Sequence, residues 1–331
     1  MLVWGNEGGI GLKIVILEGR ALDSDDPRRW EPFEALGELE RYDVTRPDQL
    51  LERARGAGAL IVNKVPICAE HFDRLPGLKY IGVVATGFDP VDVAAARARG
   101  IAVTNVPAYA TEAVAQHYAA LLLALCRRPE AYHRGVLEGR WRNSDFFSYW
   151  DRGLLDLTGM TYGAVGFGAT GQACARIMHA MGMCILAYRR NPRDMPEFTR
   201  FAWAKSINEV FINADVVSLH CPLTPETEGI VNARTLGLMK KTALLINTAR
   251  GGLVADQDLA DALNGGEIAG AGLDVLGVEP PKTPNPLIGA RNCIVTPHIA
   301  WISQHTLECL YDTVLNNLRA FINGKPVNVV N

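Results

Sequence analysis

The amino-acid sequence predicts an α/β fold made of two doubly wound, parallel-sheet domains. The chain has 331 residues, which is enough for two domains with separate cores. Short runs of β-branched residues alternate with helical patterns almost from end to end. Such alternation with short connections is typical of parallel strands joined by right-handed crossovers. Because the alternation occurs in two successive series, we expect two sheets.

The first series predicts a small doubly wound domain near the N-terminus. Apolar, β-branched runs predict four strands, at Lys13–Leu17, Ala59–Val62, Tyr80–Val84 and Ala102–Thr104. Between them, helical patterns are expected at Asp48–Arg55 and Val91–Arg99.

The second series follows a long helix, which we expect to begin near Ala110–Thr111 and to end before Pro129. Six strands are then predicted, at Thr161–Phe167, Cys184–Tyr188, Val216–Leu219, Ala243–Asn247, Gly270–Val275 and Cys293–Thr296. The spacing of apolar residues over Ser303–Ile322 predicts a final amphipathic helix that ends at Gly324.

Bulk properties indicate a cytoplasmic protein without nucleic-acid or membrane partners. The net charge of −3 gives no general attraction to anionic polymers or lipids. The apolar run at 113–126 extends for only 14 residues without an acidic or basic side chain, which is too short for a bilayer span. Residues Met1–Gly11 have neither the basic nor the apolar region of a secretory signal. The seven cysteines lack C-x-x-C spacing, so free thiols are expected rather than disulfides or a metal site.

The segment at 141–150 contains five of the 25 aromatic residues of the chain. Aromatic clusters usually form a packed local core. They also anchor subunit interfaces, so an intersubunit arm is the second interpretation. The sequence leaves both open.

A glycine-rich turn predicts a dinucleotide site. Gly166, Gly168 and Gly171 form an unbroken G-x-G-x-x-G, with Ala169 and Thr170 in its variable positions. The motif alone is weak, but here it leaves an apolar strand, enters a helix and is followed by another strand. The glycines permit a tight turn, close approach to a pyrophosphate and close helix–strand packing, while the helix N-terminus offers free N–H groups.

The next strand ends without the carboxylate that commonly binds a ribose 2′-hydroxyl. Arg189 and Arg190 stand there instead, with Arg193 nearby. Guanidinium groups suit a 2′-phosphate, so the sequence slightly favours NADP(H) over NAD(H). A solvated basic loop is the plainer interpretation.

Three polar residues, Arg250, Glu279 and His298, each follow a predicted strand of the second series. Ligands of doubly wound sheets bind at this edge. Individually, they could be a surface arginine, a solvated carboxylate and a histidine at the margin of the core. Together they suit 2-keto acid reduction, since a guanidinium binds the substrate carboxylate, an imidazolium donates a proton and a carboxylate stabilises the imidazolium.

Around these residues, the segments HCPLTPET (220–227), NTARGG (247–252), GLDV followed by EP (272–280) and TPHIA (296–300) resemble the D-isomer-specific 2-hydroxyacid dehydrogenases. The resemblance covers nearly the whole chain. It places the catalytic arginine, glutamate and histidine of the family on Arg250, Glu279 and His298.

The resemblance implies a discontinuous, flavodoxin-like substrate domain at 1–108 and 302–331, and a Rossmann nucleotide domain at 109–301. It also implies a cleft closed by hinge motion, and a homodimer. Asp274 would accept a hydrogen bond from the nicotinamide carboxamide, with a helix cap as the plainer interpretation. Ala169 stands where many NAD-using relatives carry a basic residue. Further cofactor contacts are expected at Cys221, Pro222, Thr227, Thr248, Ala249, His298 and Ala300.

Substrate recognition is expected in the turn after the strand at 80–84. In the family, this turn, with Ala85, Thr86 and Gly87 here, offers N–H groups to the substrate carboxylate. Its plainer interpretation is a strand-ending turn. Lys64 could add a positive charge, and Trp301 could wall the pocket or belong to the core.

The stretches VVATGFDPVD (83–92) and TPHIAW (296–301), among others, resemble the glycerate dehydrogenase or hydroxypyruvate reductase branch. Hydroxypyruvate or glyoxylate is therefore the expected keto acid. The alternatives are a dehydrogenase of 3-phosphoglycerate or another D-2-hydroxy acid, and a dinucleotide-sensing binding protein that resembles the corepressors of this fold.

Overall fold

The computed structural model describes residues 11–22, 27–151, 153–192 and 197–331, so the segment predicted not to be a secretory signal lies almost wholly outside it. The chain divides into two compact units, Met1–Tyr109 with Ile302–Asn331, and Ala110–Trp301. The sequence placed the first boundary one residue earlier.

All strand pairs in the described chain are parallel and form two sheets, one in each unit. The strands are β1 (Lys13–Ile16), β2 (Glu38–Arg41), β3 (Ala59–Val62), β4 (Tyr80–Val83), β5 (Ala102–Thr104), β6 (Thr161–Val165), β7 (Cys184–Tyr188), β8 (Phe201–Trp203), β9 (Val216–Leu219), β10 (Leu244–Asn247), β11 (Gly270–Leu273) and β12 (Cys293–Val295).

The helices connect these strands, as the predicted alternation requires. They are α1 (Glu31–Glu34), α2 (Leu50–Arg53), α3 (Ala69–Asp73), α4 (Val93–Ala98), α5 (Thr111–Arg127), α6 (Pro129–Leu137), α7 (Ala169–Ala180), α8 (Ile207–Asn213), α9 (Ala233–Leu236), α10 (Asp256–Gly265) and α11 (Gln304–Ile322). The predicted fold class, two doubly wound parallel-sheet domains, is confirmed.

Strand order identifies the edge at which each sheet would bind a ligand. The first sheet has the order β2-β1-β3-β4-β5, which is the flavodoxin-like order, and its direction of winding reverses between β1 and β3. The second sheet has the order β12-β11-β10-β9-β6-β7-β8, a Rossmann order with one added strand, and it reverses between β6 and β9. Ligands of open α/β sheets bind at the carboxyl ends of the strands that flank such a reversal.

The second sheet is covered on both faces, which explains why its strands are continuously apolar. Leu245 on β10 and Val217 on β9 point into one core. Their neighbours Leu244 and Val216 point into the core on the opposite face, where α5 and α7 pack. In the first unit, α11 packs on β4, with the rings of Tyr80 and Phe321 4.8 Å apart.

Two strands were missing from the predicted set: β2 (ELER) has no apolar run, whereas β8 (FAW) is apolar but only three residues long. Both β2 and β8 are edge strands, and no residue in either is fully buried. The long helix ends before Pro129, as predicted. The structure ends α5 at Arg127 and gives Arg128 a left-handed conformation (φ 49°), and Pro129 then begins a second helix, α6, that was not predicted. Proline is well suited to the first turn of a helix.

The aromatic segment at 141–150 does not form a packed local core. Tyr149 packs against the ring of Tyr132 at 5.7 Å, and its hydroxyl donates to the carbonyl of Tyr132. The other four aromatic residues of the segment, Trp141, Phe146, Phe147 and Trp150, are exposed.

Two further observations concern the described part of the chain as a whole. Its helices include none with both the length and the apolar character that a bilayer span needs. Its seven cysteines are unpaired, as expected.

Candidate active site

The glycine-rich turn follows β6 at the reversal of the second sheet. Gly166 has a φ of +92°, and a Cβ there would lie 2.6 Å from the backbone nitrogen of Cys221, which follows β9. A Cβ on Gly171 would lie 2.8 Å from the carbonyl oxygen of Gly166. A Cβ on Gly168 would meet nothing within 4 Å. Two glycines are therefore required by the protein itself, whereas the space at Gly168 is open.

These residues fit a dinucleotide. Helix α7 begins at Ala169, directly after Gly168, and its first-turn N–H groups have no acceptors within the helix. Thr248, in the loop after β10, has a buried hydroxyl oxygen without a hydrogen-bond partner among the described residues. Buried polar groups are normally paired, so this hydroxyl is a candidate for a ligand contact.

His220, which was not singled out from the sequence, packs against the glycine-rich turn at Gly171. The Nε2 atom of His220 lies 2.7 Å from the hydroxyl oxygens of both Tyr162 and Ser218. Burial lowers the pKa of His220 to about 3, so the imidazole is neutral near pH 7. Its Cδ2 would be 3.3 Å from a Cβ on Gly171. His220 stood within the HCPLTPET motif, but nothing in a linear motif shows that its ring faces inward.

The arginines at the end of β7 lie beside this turn. Val165 pairs with Tyr188, so the next residues, Gly166 and Arg189, are neighbours on adjacent strands. Arg189 is half-buried, whereas Arg190 is exposed. Arg193 lies outside the described residues.

The loop after β10 holds Arg250 through its neighbours. The amide of the buried Asn247 donates to the carbonyl of Arg250 at 2.8 Å and accepts the N–H of Ala249 at 3.0 Å. A Cβ on Gly251 would lie 1.9 Å from the backbone carbonyl of Leu276, so only glycine allows this contact. These backbone contacts thus fix the position of the Arg250 backbone, from which its half-buried side chain extends.

His298 and Glu279 form an ion pair if the imidazole is protonated. Glu279 Oε2 lies 2.5 Å from His298 Nδ1, and Glu279 Oε1 accepts the N–H of Leu276 at 3.0 Å. One carboxylate oxygen therefore anchors Glu279 while the other orients the ring. Since Nδ1 is engaged, Nε2 is the ring nitrogen available to a substrate.

The buried carboxylate of Asp274 holds the loop that carries His298. Its Oδ1 accepts the hydroxyl of Thr296 at 2.6 Å and the N–H of Ile299 at 2.9 Å, and its Oδ2 accepts the N–H of Ala300 at 2.8 Å. The N–H of His298 donates to the Asp274 carbonyl at 2.8 Å, and His298 has a φ of +56°. The predicted bond from Asp274 to a nicotinamide carboxamide stays a prediction.

His117, on α5, extends this network and was missed by the sequence analysis. Its Nε2 lies 3.0 Å from the Thr296 hydroxyl and 3.4 Å from Asp274 Oδ1. Burial raises the pKa of Asp274, but the hydrogen bonds from His117, Thr296 and backbone N–H groups outweigh burial and keep that pKa below its ordinary value. The signal in the sequence was a histidine within a long apolar helix.

Other predicted cofactor residues occupy loops at the same edge of the second sheet. The hydroxyl of Thr227 donates to the carbonyl of Pro222 at 2.7 Å and so closes the loop after β9. Cys221 and Ala249 are half-buried. Trp301, at the end of this unit, is also half-buried.

In the first unit, the turn after β4 is held by hydrogen bonds to its side chain and carbonyls. Thr86 donates its hydroxyl to the carbonyl of Val106 at 2.8 Å, and Asn105 donates its amide to the carbonyl of Thr86 at 2.7 Å. Within the described chain, no acceptor takes the backbone N–H groups of Ala85, Thr86 or Gly87. These N–H groups could form an anion nest, and their contact with the substrate carboxylate stays a prediction.

Lys64 is exposed in the turn after β3, and its N–H donates to Glu18. Cys68, Glu70 and His71, also in this unit, gather atoms of metal-ligand type within 4.8 Å. Because His71 Nδ1 already accepts the N–H of Cys68 at 3.0 Å, we assign no metal to them.

Register explains why three distant segments share one location. Asn247, Leu273 and Val295 are paired across β10, β11 and β12, so the loops that follow leave the same edge of the sheet. These loops carry Arg250, Glu279 and His298 respectively. Together with the glycine-rich turn, they define an oxidoreductase that uses a nicotinamide dinucleotide and acts on a CH–OH or carbonyl group.

Comparisons with known proteins identify the family. A sequence model described as "D-isomer specific 2-hydroxyacid dehydrogenase, NAD binding domain" matches residues 119–300. The chain is 42% identical to a hydroxypyruvate reductase of Blautia hydrogenotrophica, over 97% of this chain and 100% of that protein. It is 41% identical to a glycerate dehydrogenase of Methylorubrum extorquens, over 96% of this chain and 98% of that protein. The chain belongs to the D-isomer-specific 2-hydroxyacid dehydrogenase family.

Solved structures agree with this assignment. The TT0316 protein from Thermus thermophilus has a TM-score of 0.84 at 39% identity, over 97% of this chain and all of that one. An NADPH-dependent glyoxylate/hydroxypyruvate reductase from Sinorhizobium meliloti, solved with NADP and malonate, has a TM-score of 0.83 at 31% identity, over 96% of both chains. The predicted family, enzyme class and nicotinamide cofactor are confirmed.

Proposed function

We propose that this protein reduces hydroxypyruvate or glyoxylate to the corresponding hydroxy acid, the D isomer in the case of glycerate, with NADPH or NADH. The observation that carries the proposal is the His298–Glu279 pair, at 2.5 Å, on the sheet edge that also bears Arg250. The names of the relatives favour these two keto acids.

The protein's own groups supply binding and proton transfer, and the bound dinucleotide supplies the hydride. Nε2 of protonated His298 donates a proton to the carbonyl oxygen, and Glu279 stabilises the imidazolium through Nδ1. Arg250 binds the substrate carboxylate and polarises the carbonyl with its planar set of donors. In the oxidative direction His298 accepts the proton.

The first unit contributes carboxylate recognition in this proposal, which makes it the substrate domain. The N–H groups of Ala85, Thr86 and Gly87 suit a carboxylate because the described chain leaves them without acceptors. Lys64 adds positive charge. Trp301, which belongs to the second unit, is proposed as an apolar wall for the substrate.

The second unit binds the dinucleotide, and we propose a preference for NADPH. Arg189 stands beside Gly166, where a carboxylate would otherwise select the ribose 2′-hydroxyl. Arg190 follows on the exposed side. The remaining proposed contacts come from the glycine-rich turn and the loops after β9, β10 and β12: Gly166, Gly168, Ala169, Thr170, Gly171, Cys221, Pro222, Thr227, Thr248, Ala249, Asp274, His298 and Ala300.

We also propose a homodimer that buries the exposed aromatic segment. Apolar side chains exposed over 136–150 comprise Val136, Leu137, Trp141, Phe146, Phe147 and Trp150. Large exposed apolar patches mark interaction sites. A cytoplasmic location is proposed from the unpaired cysteines, which persist in reducing compartments.

Steady-state kinetics test the reaction. We expect turnover of hydroxypyruvate and glyoxylate with reduced cofactor, and much weaker turnover of pyruvate and 2-ketoisocaproate. His298→Ala should lower kcat about 10²–10⁴-fold with little change in the KM of the cofactor, because a general acid is lost. Absence of turnover by the wild type across this panel would instead support a dinucleotide-binding protein.

The pH dependence tests Glu279. In Glu279→Gln the carboxylate that contacts Nδ1 of His298 is replaced by a neutral amide, so the charged form of the proposed proton donor loses its partner. The pH–rate profile of keto acid reduction should therefore move toward acid. Glu226→Gln is a control, because this exposed carboxylate binds Thr224 and lies outside the pair. An unchanged profile in Glu279→Gln removes Glu279 from its assigned role.

Cofactor preference tests Arg189. Arg189→Asp replaces a phosphate-binding group with one that binds the 2′-hydroxyl, so kcat/KM for NADPH relative to NADH should fall by about tenfold or more. Arg234→Asp, on the exposed side of α9, should leave the ratio unchanged. A wild type that prefers NADH would contradict the proposal.

Sedimentation equilibrium tests the dimer. Phe147 is 79% exposed in the single chain, and Phe147→Asp should weaken self-association by placing a charge in an apolar interface. Ile212→Asp, on α8, alters another exposed apolar residue and should leave the dimer intact. A monomeric wild type at micromolar concentration would refute the homodimer.

A further inference from the structure

The first unit contains a second set of convergent backbone donors, at the reversal of its sheet. Glu18, just after β1, accepts hydrogen bonds at its Oε2 atom from three successive N–H groups of the turn after β3. The distances are 2.6 Å from Asn63, 2.7 Å from Lys64 and 3.1 Å from Val65. Three successive N–H groups that converge on one oxygen form an anion nest. The nest is thus filled by the protein's own carboxylate.

The location of this nest is the one at which sheets of this order bind ligands. The winding reverses between β1 and β3, and Glu18 and Asn63 follow the carboxyl ends of these two strands. The N–H of Leu17 donates to the carbonyl of Ile61 at 2.9 Å, which keeps the end of β1 against β3. The Glu18 side chain therefore lies at the carboxyl ends of β1 and β3, where sheets of this order bind ligands.

The neighbouring turn, after β4, has a nest that no side chain of the described chain fills. The N–H groups of Ala85, Thr86 and Gly87 have no acceptor within the described chain. Val62 pairs with Val83, so the two turns leave adjacent strands, about 5 Å apart. One nest is filled and the other is open, side by side at one edge of the sheet.

We propose that Glu18 is a specificity-determining residue: it fills the nest after β3 and excludes keto acids that carry a second anionic group. This inference rests on the proposed function, in which the substrate carboxylate binds the nest after β4. A phosphate or second carboxylate at the far end of a three-carbon acid would extend toward the neighbouring turn. There it meets a carboxylate and no free N–H group.

Glu18 excludes a second anionic group in two ways: it removes hydrogen-bond donors that would attract the group, and its own charge repels the group. Without Glu18, the nest at 63–65 and the exposed Lys64 would offer three N–H donors and a positive charge to an anion. With Glu18, those N–H donors are satisfied and a like charge faces the incoming group. Selectivity that uses both parts is common in proteins.

Selectivity between two keto acids tests the proposal. The substrates are hydroxypyruvate and 3-phosphohydroxypyruvate, which adds a phosphate to the same three-carbon acid. In Glu18→Gln, which keeps the shape of the side chain, kcat/KM for the phosphorylated acid relative to hydroxypyruvate should rise about tenfold or more. Lys64→Met in the Glu18→Gln background should remove most of the gain.

The matched control is Glu40→Gln on the edge strand β2. Glu40 is also partly exposed, at 38% of its side chain, and its carboxylate pairs with Lys13 rather than with the turn after β3. It should leave the ratio unchanged. An unchanged ratio in Glu18→Gln, with hydroxypyruvate activity retained, overturns the proposal. If the wild type reduces neither acid, the proposed function fails.

Binding of inorganic phosphate tests the nest without catalysis. Phosphate should raise the melting temperature of Glu18→Gln more than that of the wild type or of Glu40→Gln, because only this variant replaces the charged acceptor in the nest with a neutral amide oxygen that an anion can displace. Equal shifts in all three proteins overturn the proposal, whether or not turnover is found. If Glu18→Gln fails to fold, Glu18→Asp serves instead. Its shorter carboxylate should satisfy the nest less fully and give a smaller change in the same direction, and no change overturns the proposal.

Discussion

The hydrogen bonds of the Asp274 carboxylate hold the loop of the second unit on which the proposed chemistry depends. A buried carboxylate is costly unless its oxygens are paired, and here they accept from Thr296, Ile299 and Ala300 and lie near His117. These donors flank His298 in sequence, so the same hydrogen bonds that satisfy the Asp274 carboxylate also fix the conformation of the His298 loop. The positive φ of His298 persists because its neighbours on both sides are fixed to a single buried group.

Close approach between backbone segments is the second constraint, and it explains which parts of the site could be predicted from the sequence. Gly251 against Leu276 and Gly166 against Cys221 are contacts that any side chain would block. Such positions lie in short motifs next to the residues they serve, as Gly251 follows Arg250. The dinucleotide turn and the loops of the proposed catalytic residues were therefore predictable from local patterns, and the parallel register brought them to one edge.

The residues that sequence reasoning missed act across long separations. Glu18 contacts a turn 45 residues later, and His117 contacts Thr296, which is 179 residues away. Glu18 has no local pattern that distinguishes it from an ordinary surface carboxylate, and the position of His117 in an apolar helix does not show which residue it contacts. The edge strand β2 was missed because it contains one apolar residue among charged ones, whereas the apolar run Phe201–Trp203 of β8 was present in the sequence and was overlooked.

Both units solve the same electrostatic problem at the point where their sheets reverse. The chain has a net charge of −3, so anions must be bound by locally concentrated donors rather than by overall attraction. In the second unit, glycine leaves the space at position 168 open beside the N-terminus of α7. In the first, the N–H groups of the turn after β3 hold Glu18, whereas those of the turn after β4 have no acceptor in the described chain. One edge of a sheet thus bears a filled nest beside an open one, and the difference lies in whether a nearby side chain reaches the N–H groups. In our proposal Glu18, two residues past the end of β1, sets which anions the turn after β3 admits, and the open turn after β4 keeps its donors for the substrate carboxylate.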